Sequence, residues 1–218
     1  MRLLVEGLFV KVSGVTTEED ALLSIGLGAN AVGFDFAPTP RRVGAEVVRD
    51  IIHRLPGGTI TVGTFRNEMP QRIVEVANRL GLHAVQLDGR MTLDEVRYVS
   101  ERVNTVIRAL APSDLEVADA VTPYVDYFLV PEDDDRLALA DSLELFGADS
   151  LARPVIASGG LSAANVVDVV QNYPVWGVDA RSDTELEPAT KDPVRLAEFI
   201  ANARWAHANA YVGRPSRE

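Results

Sequence analysis

Along this chain of 218 residues, short β-branched runs alternate eight times with longer segments of helical periodicity. This alternation is typical of βαβ units, which bring parallel strands into one sheet. The expected strands cover residues 9–14, 31–36, 59–65, 84–87, 105–110, 127–130, 155–157 and 175–179. Eight strands with eight crossovers favour a closed barrel, and only Ser13-Gly14 stands where an open dinucleotide-binding sheet would carry G-x-G-x-x-G. The sequence therefore predicts the α/β class and a single (β/α)₈ TIM barrel domain over residues 1–218.

Start and stop signals place the helices between these strands. Thr16 or Thr17 is suited to cap the first helix, and Asp192-Pro193 opens the last, which is expected to run to about residue 207. Further helices are expected over residues 45–54, 70–80 and 92–103 and after Ser162, and residues 112–120 are expected to form a short crossover. The pattern leaves no linker or low-complexity segment.

Composition narrows the possible functions. The chain has no cysteine, which excludes disulfides and thiolate chemistry, and His53, His83 and His207 lack metal-ligand spacing. A net charge of −11 opposes binding to nucleic acid or anionic membranes, and no apolar run is long enough for a membrane span. We expect a cytoplasmic protein without metal or cofactor. An anionic ligand would need a local positive site.

Such a site is predicted after the last two strands. Active sites of β/α barrels lie at the carboxyl ends of the strands, and the loops after strands seven and eight commonly bind phosphate. Gly159-Gly160 follows strand seven and precedes a helix, while Arg181 and Ser182 follow strand eight. Glycines let the backbone approach an anion, and a helix amino terminus offers free N–H groups. Alternatively, these glycines serve only tight turns.

Six segments together resemble the phosphoribosylanthranilate isomerase family over about residues 8–202. The stretch KVSGVT, followed by EDA, is similar to the family's K-[IV]-C-G-[IL]-T…ED-A, and GFDFAPTPRRV is similar to GF-x-F…SPR-x-V. VGTFRN resembles VGVF-x-N, and AVQLDG resembles AVQLHG. ASGGLSAANV resembles AGGL-x-x-x-NV, and GVDARSDTELEPATKDP resembles GVD-x-SSG-x-E…G-x-KDP. The resemblance implies the same barrel and an Amadori rearrangement of a phosphoribosyl amine.

The resemblance also implies that the family's catalytic pair is replaced. Ser13 stands at the family's cysteine, which is the general acid, and Pro131 stands at the aspartate that ends strand six and acts as the base. A serine hydroxyl is a poorer proton donor than a thiol, and proline accepts no proton. Asp88 replaces a histidine, Arg181 a serine and Asp183 a glycine.

Two further residues match positions that contact substrate in the family. Arg41 corresponds to the arginine that binds the anthranilate carboxylate, a role suited to the guanidinium fork. Asp179 corresponds to an aspartate that contacts the substrate. The alternatives are a surface arginine and an acid that organises a loop.

Two carboxylates could replace the missing pair. Asp35 interrupts an apolar strand, and Asp88 ends strand four. Partly buried acids at strand ends can be tuned for proton transfer, so Ser13, Asp35 and Asp88 are the candidate catalytic residues. Each acid could instead hold a neighbouring arginine such as Arg66 or Arg108.

Three hypotheses for the function follow. In the first, the chain is an isomerase of this type that uses Asp35, Asp88 or Glu132 as acid and base. In the second, it catalyses a different reaction on a phosphorylated small molecule. In the third, it is a barrel without catalysis that binds a ligand or a partner protein. The first two predict a phosphorylated, in the first case phosphoribosyl, ligand. Both monomers and homodimers are compatible with the sequence.

Overall fold

Eight parallel strands close into one barrel in the order β1 to β8, with β8 paired to β1. The computed structural model describes residues 3–110, 115–131, 139–145 and 152–210. The strands are β1 (Phe9–Val12), β2 (Ala31–Asp35), β3 (Ile60–Arg66), β4 (Ala84–Asp88), β5 (Val106–Ala109), β6 (Tyr127–Val130), β7 (Val155–Ser158) and β8 (Gly177–Ala180). The predicted TIM barrel is confirmed.

The helices alternate with the strands and cover the barrel. They are α1 (Glu18–Gly26), α2 (Ala45–Ile52), α3 (Pro70–Leu80), α4 (Leu93–Ser100), α5 (Leu115–Val121), α6 (Leu139–Leu145), α7 (Val166–Asn172) and α8 (Pro193–Asn209). Their ends follow local signals. Thr17 caps α1, Thr92 and Glu95 form a capping box at α4, and Gly81 ends α3 in the left-handed conformation.

The predicted bounds of the strands and helices agree with the structure apart from differences at the ends of individual elements. The bounds of α3 and β6 match, and the other strands differ by one or two residues at an end. Strand β8 begins at Gly177, later than predicted, because Val175 lies in a turn in which its N–H donates to Tyr173. Helix α7 begins at Val166, later than expected, and residues 112–114 lie outside the described residues.

Two elements were missed by the sequence prediction. Helix α6 is one, and the other is an antiparallel hairpin after β8, formed by β9 (Glu185–Glu187) and β10 (Thr190–Lys191). The residues that flank the hairpin join it to α8, since the N–H of Asp192, the residue that caps α8, donates to the carbonyl of Thr184, the residue before β9. The hairpin places two charged side chains near the barrel.

Aromatic side chains fill the amino end of the barrel interior. Trp176 stacks on Phe9 and on Tyr127, with ring centroids 4.6 and 4.4 Å apart. All three rings belong to or pack against the inner core cluster, which also contains Ile60, Ile107 and Ile156. Apolar packing closes this end, whereas the inward-facing side chains at the carboxyl end are polar. The barrel therefore concentrates its buried polar chemistry at one end.

Candidate active site at the carboxyl end of the barrel

Asp179 is the centre of a buried hydrogen-bond network between β1, β7 and β8. Its carboxylate accepts from Lys11 Nζ at 2.8 Å, from Ser13 Oγ at 2.8 Å and from Ser158 Oγ at 3.1 Å. The register makes this possible, because Lys11 and Asp179 are Cα partners across the β1–β8 seam. Lys11 Nζ also donates a hydrogen bond to Ser13 Oγ. The predicted Ser13 and Asp179 therefore meet, and Lys11 joins them.

Arg181 reaches from the end of β8 past β1 to Asp35 at the end of β2. Its Nη2 donates to Asp35 Oδ2 at 2.5 Å, and Thr39 Oγ1 donates to the same oxygen at 3.1 Å. Asp35 is 1% exposed. Burial alone would lower the pKa of Arg181, but the charges of Asp35 and Asp179 outweigh it and raise the pKa. Arg181 is therefore a fixed cation at the barrel mouth.

Asp88 is buried at the end of β4 and has a different environment. Gln86 Nε2 donates to its Oδ1 at 2.9 Å, and the exposed Arg66 lies 3.8 Å from its Oδ2. Burial raises the pKa of Asp88, and the hydrogen bond from Gln86 and the charge of Arg66 oppose this only in part. Arg108, the other arginine considered as a partner, donates to the carbonyls of Leu87 and Gly89.

The two candidate acids thus differ in how they are held. Asp35 has a close ion pair with an arginine that the sequence prediction did not consider, since Arg181 was expected to face phosphate. Asp88 has only a distant contact to an exposed arginine. Environments that separate two carboxylates in this way are typical of sites in which the two acids have different roles.

Arg41 lies in the cavity wall and is bound by the hairpin. Its Nε and Nη2 donate to the carboxylate of Glu185 at 2.8 and 2.6 Å, and Lys191 Nζ donates to the same carboxylate at 3.1 Å. Burial favours a raised pKa at Glu185, but Arg41 and Lys191 outweigh it and lower the pKa. Gly14 has φ +72°, and a Cβ there would strike the Arg41 stem. Arg41 is oriented by these groups, with Nη1 left for a ligand.

The expected phosphate loops follow β7 and β8. Gly159 and Gly160 have φ of 82° and 57°, conformations that glycine adopts without strain. Asn165 holds this loop, because its side chain donates to the carbonyl of Gly160 at 2.7 Å and accepts from the N–H of Ser162 at 2.8 Å. This tie explains why α7 starts only at Val166. Ser182 begins a 3₁₀ turn in the neighbouring loop.

A cavity of about 380 Å³ joins these groups. It is lined by Thr39, Pro40, Arg41, Arg66, Pro131, Ser158, Gly159, Gly160, Leu161, Asp179, Arg181, Ser182 and Asp183. Six of the nine residues predicted for the site are in this lining, and the other three, Ser13, Asp35 and Asp88, are buried beside it. Pro131, at the end of β6, also faces the cavity. Glu132 lies outside the described residues.

Several polar residues of the site were missed by the sequence prediction. Lys11, Thr64 and Gln86 each interrupt an otherwise apolar strand, which was the available signal. Glu185 and Lys191 lie in a segment whose hairpin was not predicted, and their signal was that they match the glutamate and the lysine of the motif GVD-x-SSG-x-E…G-x-KDP. Within the described ranges, no group of His, Cys, Asp and Glu is arranged to hold a metal ion, and none of the helices has the length and apolarity to cross a bilayer.

Comparison with known proteins gives a consistent result. Residues 10–202 match the family model described as N-(5'-phosphoribosyl)anthranilate (PRA) isomerase. The N-(5'-phosphoribosyl)anthranilate isomerase of Rubrobacter xylanophilus is 37% identical over 208 residues, covering 89% of this chain and 98% of the relative.

Solved structures show the same similarity. One is a phosphoribosyl anthranilate isomerase in complex with reduced 1-(o-carboxyphenylamino)-1-deoxyribulose 5-phosphate, with 34% identity, a TM-score of 0.78, and 91% and 99% of the two chains covered. Another is of monomers of the dimeric isomerase from Thermotoga maritima, with 33% identity, a TM-score of 0.76, and 90% and 98% covered.

Proposed function

Because this chain belongs to the N-(5'-phosphoribosyl)anthranilate isomerase family, we propose that it isomerises N-(5'-phosphoribosyl)anthranilate by an Amadori rearrangement. One observation carries this proposal: a single cavity joins a glycine-lined loop suited to phosphate with Asp179 and Arg66, behind which lie buried groups suited to proton transfer. No cofactor is needed for this reaction, because it moves protons within one molecule. No observation favours a different reaction or a barrel without activity.

The phosphate end consists of Gly159, Gly160 and Ser182, with Arg181 as the nearby cation. Backbone N–H groups in such glycine loops bind anions, and the fixed charge of Arg181 supports a dianion in a molecule of net charge −11. Asp183 in the cavity wall opposes the anion, so the backbone N–H groups and Arg181 must outweigh this carboxylate. Arg41 offers its remaining Nη1 to the carboxylate of the anthranilate ring.

Ser13 is the proposed general acid, and Lys11 makes it a competent one. The Ser13 hydroxyl, which donates to Asp179 in this structure, turns to the ribose ring oxygen and gives its proton there as it takes one from Lys11, whose Nζ donates to Ser13 Oγ. The Lys11 ammonium is then the net proton source. The C1–O bond of the ribose ring breaks, and the nitrogen lone pair forms a C1=N iminium.

Asp88 is the proposed general base. Its carboxylate removes the proton from C2, the electrons of that bond form C1=C2, and the iminium electrons return to nitrogen. Asp88 returns its proton to C1, and the C2 hydroxyl proton passes through Ser13 to Lys11, so the ketone forms and both groups regain their starting protonation. A raised pKa makes Asp88 a stronger base, and its location on β4 faces Ser13 and Lys11 on β1 across the mouth.

The family's catalytic pair is accordingly not retained in residue type. Ser13 with Lys11 stands for the cysteine, and Asp88 on β4 stands for the strand-six aspartate, whose position is occupied by Pro131. Asp35, the third predicted catalytic residue, holds Arg181 in this scheme. Asp179 orients Lys11 and Ser13.

The test is turnover by the purified chain. Fresh N-(5'-phosphoribosyl)anthranilate loses its fluorescence on isomerisation, so the rate is followed directly. The control is the triple variant Ser13→Ala, Asp35→Asn, Asp88→Asn, and a wild-type rate no higher than that of the control would remove the proposal. We further propose that the enzyme is cytoplasmic, because biosynthetic sugar phosphates are cytoplasmic metabolites. We propose that it is a monomer or a homodimer.

A further inference from the structure

Three neighbouring strands carry inward side chains that each leave one buried polar atom without a protein partner. These atoms are Asp35 Oδ1 on β2, Thr64 Oγ1 on β3 and Gln86 Oε1 on β4. The side chains are 1%, 3% and 5% exposed. Asp35 is the Cα partner of Thr64, and Thr64 is the Cα partner of Gln86, so the three form one row, here named the β2–β4 row.

The concentration of such atoms is unusual. Buried polar atoms in folded proteins nearly always have a partner, since an unpaired one costs about 1–3 kcal/mol. Of five such side-chain atoms within the described residues, three belong to the β2–β4 row and a fourth is Nε of Arg181, which binds Asp35. The fifth, Ser142 Oγ, lies in α6. A row of this kind is explained by a ligand that supplies the missing hydrogen bonds.

The row belongs to the wall of the proposed active site. Arg66 lines the cavity, and Thr64, two residues earlier on β3, faces the same interior one layer deeper. Arg181 also lines the cavity while its Nη2 rests on Asp35. Arg181 thus connects the row with the cavity through its ion pair with Asp35.

The row also differs from the sequence pattern of the family. The motif that VGTFRN resembles has valine where this chain has Thr64, and the pattern is apolar where this chain has Asp35. Arg181, which binds Asp35, replaces a serine. Two positions of the row have thus become polar, the glutamine of Gln86 is shared with the family pattern, and the serine at Arg181 has become a cation that pairs with Asp35.

The available atoms define the chemistry of the ligand. Asp35 Oδ1 and Gln86 Oε1 accept hydrogen bonds, and Thr64 Oγ1 both donates and accepts. An anion cannot satisfy two acceptors, and the charge of Asp35 is already balanced by Arg181 at 2.5 Å, which disfavours a second cation. Neutral groups that both donate and accept fit the row, and these are hydroxyls.

From this we infer that the β2–β4 row is a subsite for neighbouring hydroxyl groups of the acyclic phosphopentose. The inference rests on the proposed function and adds to it the groups that recognise the sugar chain. The phosphate binds at the loops after β7 and β8, on the other side of the mouth, and the sugar chain crosses the cavity to the row.

The test compares two phosphates that differ in their hydroxyls, D-ribulose 5-phosphate and n-pentyl phosphate, by calorimetric titration. Wild type is expected to bind the first more tightly. Thr64→Val is expected to weaken D-ribulose 5-phosphate about 3–10-fold, the effect of one hydrogen bond, and to leave n-pentyl phosphate unchanged. Thr64→Ser, which keeps the hydroxyl, is expected to retain the affinity.

Ser142→Ala is the matched control, because it also removes a buried hydroxyl without a partner, but far from the mouth. Both Thr64→Val and Ser142→Ala are expected to keep or raise the melting temperature, whereas only the former changes sugar binding. Equal affinity of wild type for the two phosphates, or no selective loss in Thr64→Val, would overturn the subsite. Selective binding without isomerase turnover would refute the proposed function and support the subsite.

Discussion

At the position of Ser13, the neighbours of the side chain matter as much as its own chemistry. A serine by itself is a poor acid, but here its oxygen accepts from Lys11 while its proton points to Asp179. The sequence prediction found Ser13 and Asp179 because they follow strands, yet it treated the serine in isolation. We propose that the contact with Lys11 makes this weak donor part of a proton relay.

Two substitutions at Ser13 test the relay. Ser13→Ala is expected to lower kcat by about 100-fold or more, the contribution of a general acid, with a KM within about threefold of wild type. Ser13→Cys is expected to raise kcat by roughly tenfold, because a thiol with a pKa near 8.5 releases its proton more readily. Steady-state kinetics measure kcat and KM of both variants, and unchanged melting curves show that both are folded. A wild-type kcat in Ser13→Ala would exclude Ser13 as the acid.

The burial that raises the pKa of Asp88, and so makes it a stronger base, is expected to lower the stability of the folded protein at neutral pH. The folded pKa of Asp88 is raised above the ordinary 3.8, so the folded state loses stability as the pH rises from about 3.8 through the raised pKa. Asp88→Asn should therefore melt at a higher temperature than wild type at pH 7, equal it near pH 3, and lack turnover. Asp50→Asn, at an exposed carboxylate, should show no such gain. A lower melting temperature for Asp88→Asn at pH 7 would contradict this account.

At the scale of elements, the β9–β10 hairpin is what orients Arg41. Sequence patterns did not predict this hairpin, because β9 and β10 are short and the apolar Leu186 of β9 is 70% exposed. The hairpin docks through charge: Glu185 accepts from Arg41 on the loop after β2 and from Lys191 on its own second strand. One buried carboxylate thus joins the second and eighth loops.

Glu185→Gln is expected to loosen this docking. The pKa of Glu185 is lowered on folding, so its contribution to stability is complete above the ordinary value and is lost as the pH falls through the lowered one. The variant should lose about 3 kcal/mol of stability at pH 7 and progressively less in acid. Denaturant melts across pH measure this. Glu187→Gln, in the exposed part of the same hairpin, should match wild type, and an equal loss there would refute the special role of Glu185.

The long helix α8 depends on its cap next to the hairpin. Asp192 accepts from the N–H groups of Val194 and Arg195 at 2.9 and 3.1 Å, and its own N–H donates to Thr184. Asp192→Ala is expected to cost about 1 kcal/mol, measured by urea unfolding, because these donors lose their partner. Asp192→Asn keeps the capping oxygen and should recover most of the loss; failure to recover it would mean that the charge, and not the cap, matters.

For the whole molecule, the net charge of −11 opposes an anionic substrate. The local cations at the mouth are individually paired with carboxylates, as in Lys11–Asp179, Arg181–Asp35 and Arg41–Glu185. The long-range field is therefore repulsive, and binding depends on short-range hydrogen bonds.

Screening this field should help the enzyme at low salt. Between about 10 and 150 mM KCl the Debye length falls from roughly 30 to 8 Å, so kcat/KM for the phosphoribosyl substrate is expected to rise. Potassium glutamate should give the same profile as KCl, whereas sulfate and phosphate are avoided because they compete for the anion site. A kcat/KM that falls steadily with salt would show that a positive local field steers the substrate.

The sequence by itself determined the barrel and the residues at its mouth. Strand and helix periodicities are local, and parallel strands in a closed barrel all end at the same edge, so residues that follow strands are predicted to converge. Ser13, Asp35, Asp88, Asp179 and the glycines after β7 were identified in this way. Their arrival at one end of the barrel needed no information beyond the order of the elements.

Only the tertiary structure decided which of these residues bind each other. The pairs Lys11–Asp179, Asp35–Arg181 and Arg41–Glu185 join segments that are 168, 146 and 144 residues apart. These contacts arise because barrel closure places β8 beside β1, and because long side chains can then reach across a neighbouring strand end. Side-chain reach is not encoded in a local pattern, so the ion pair of Arg181 with Asp35 was not predicted.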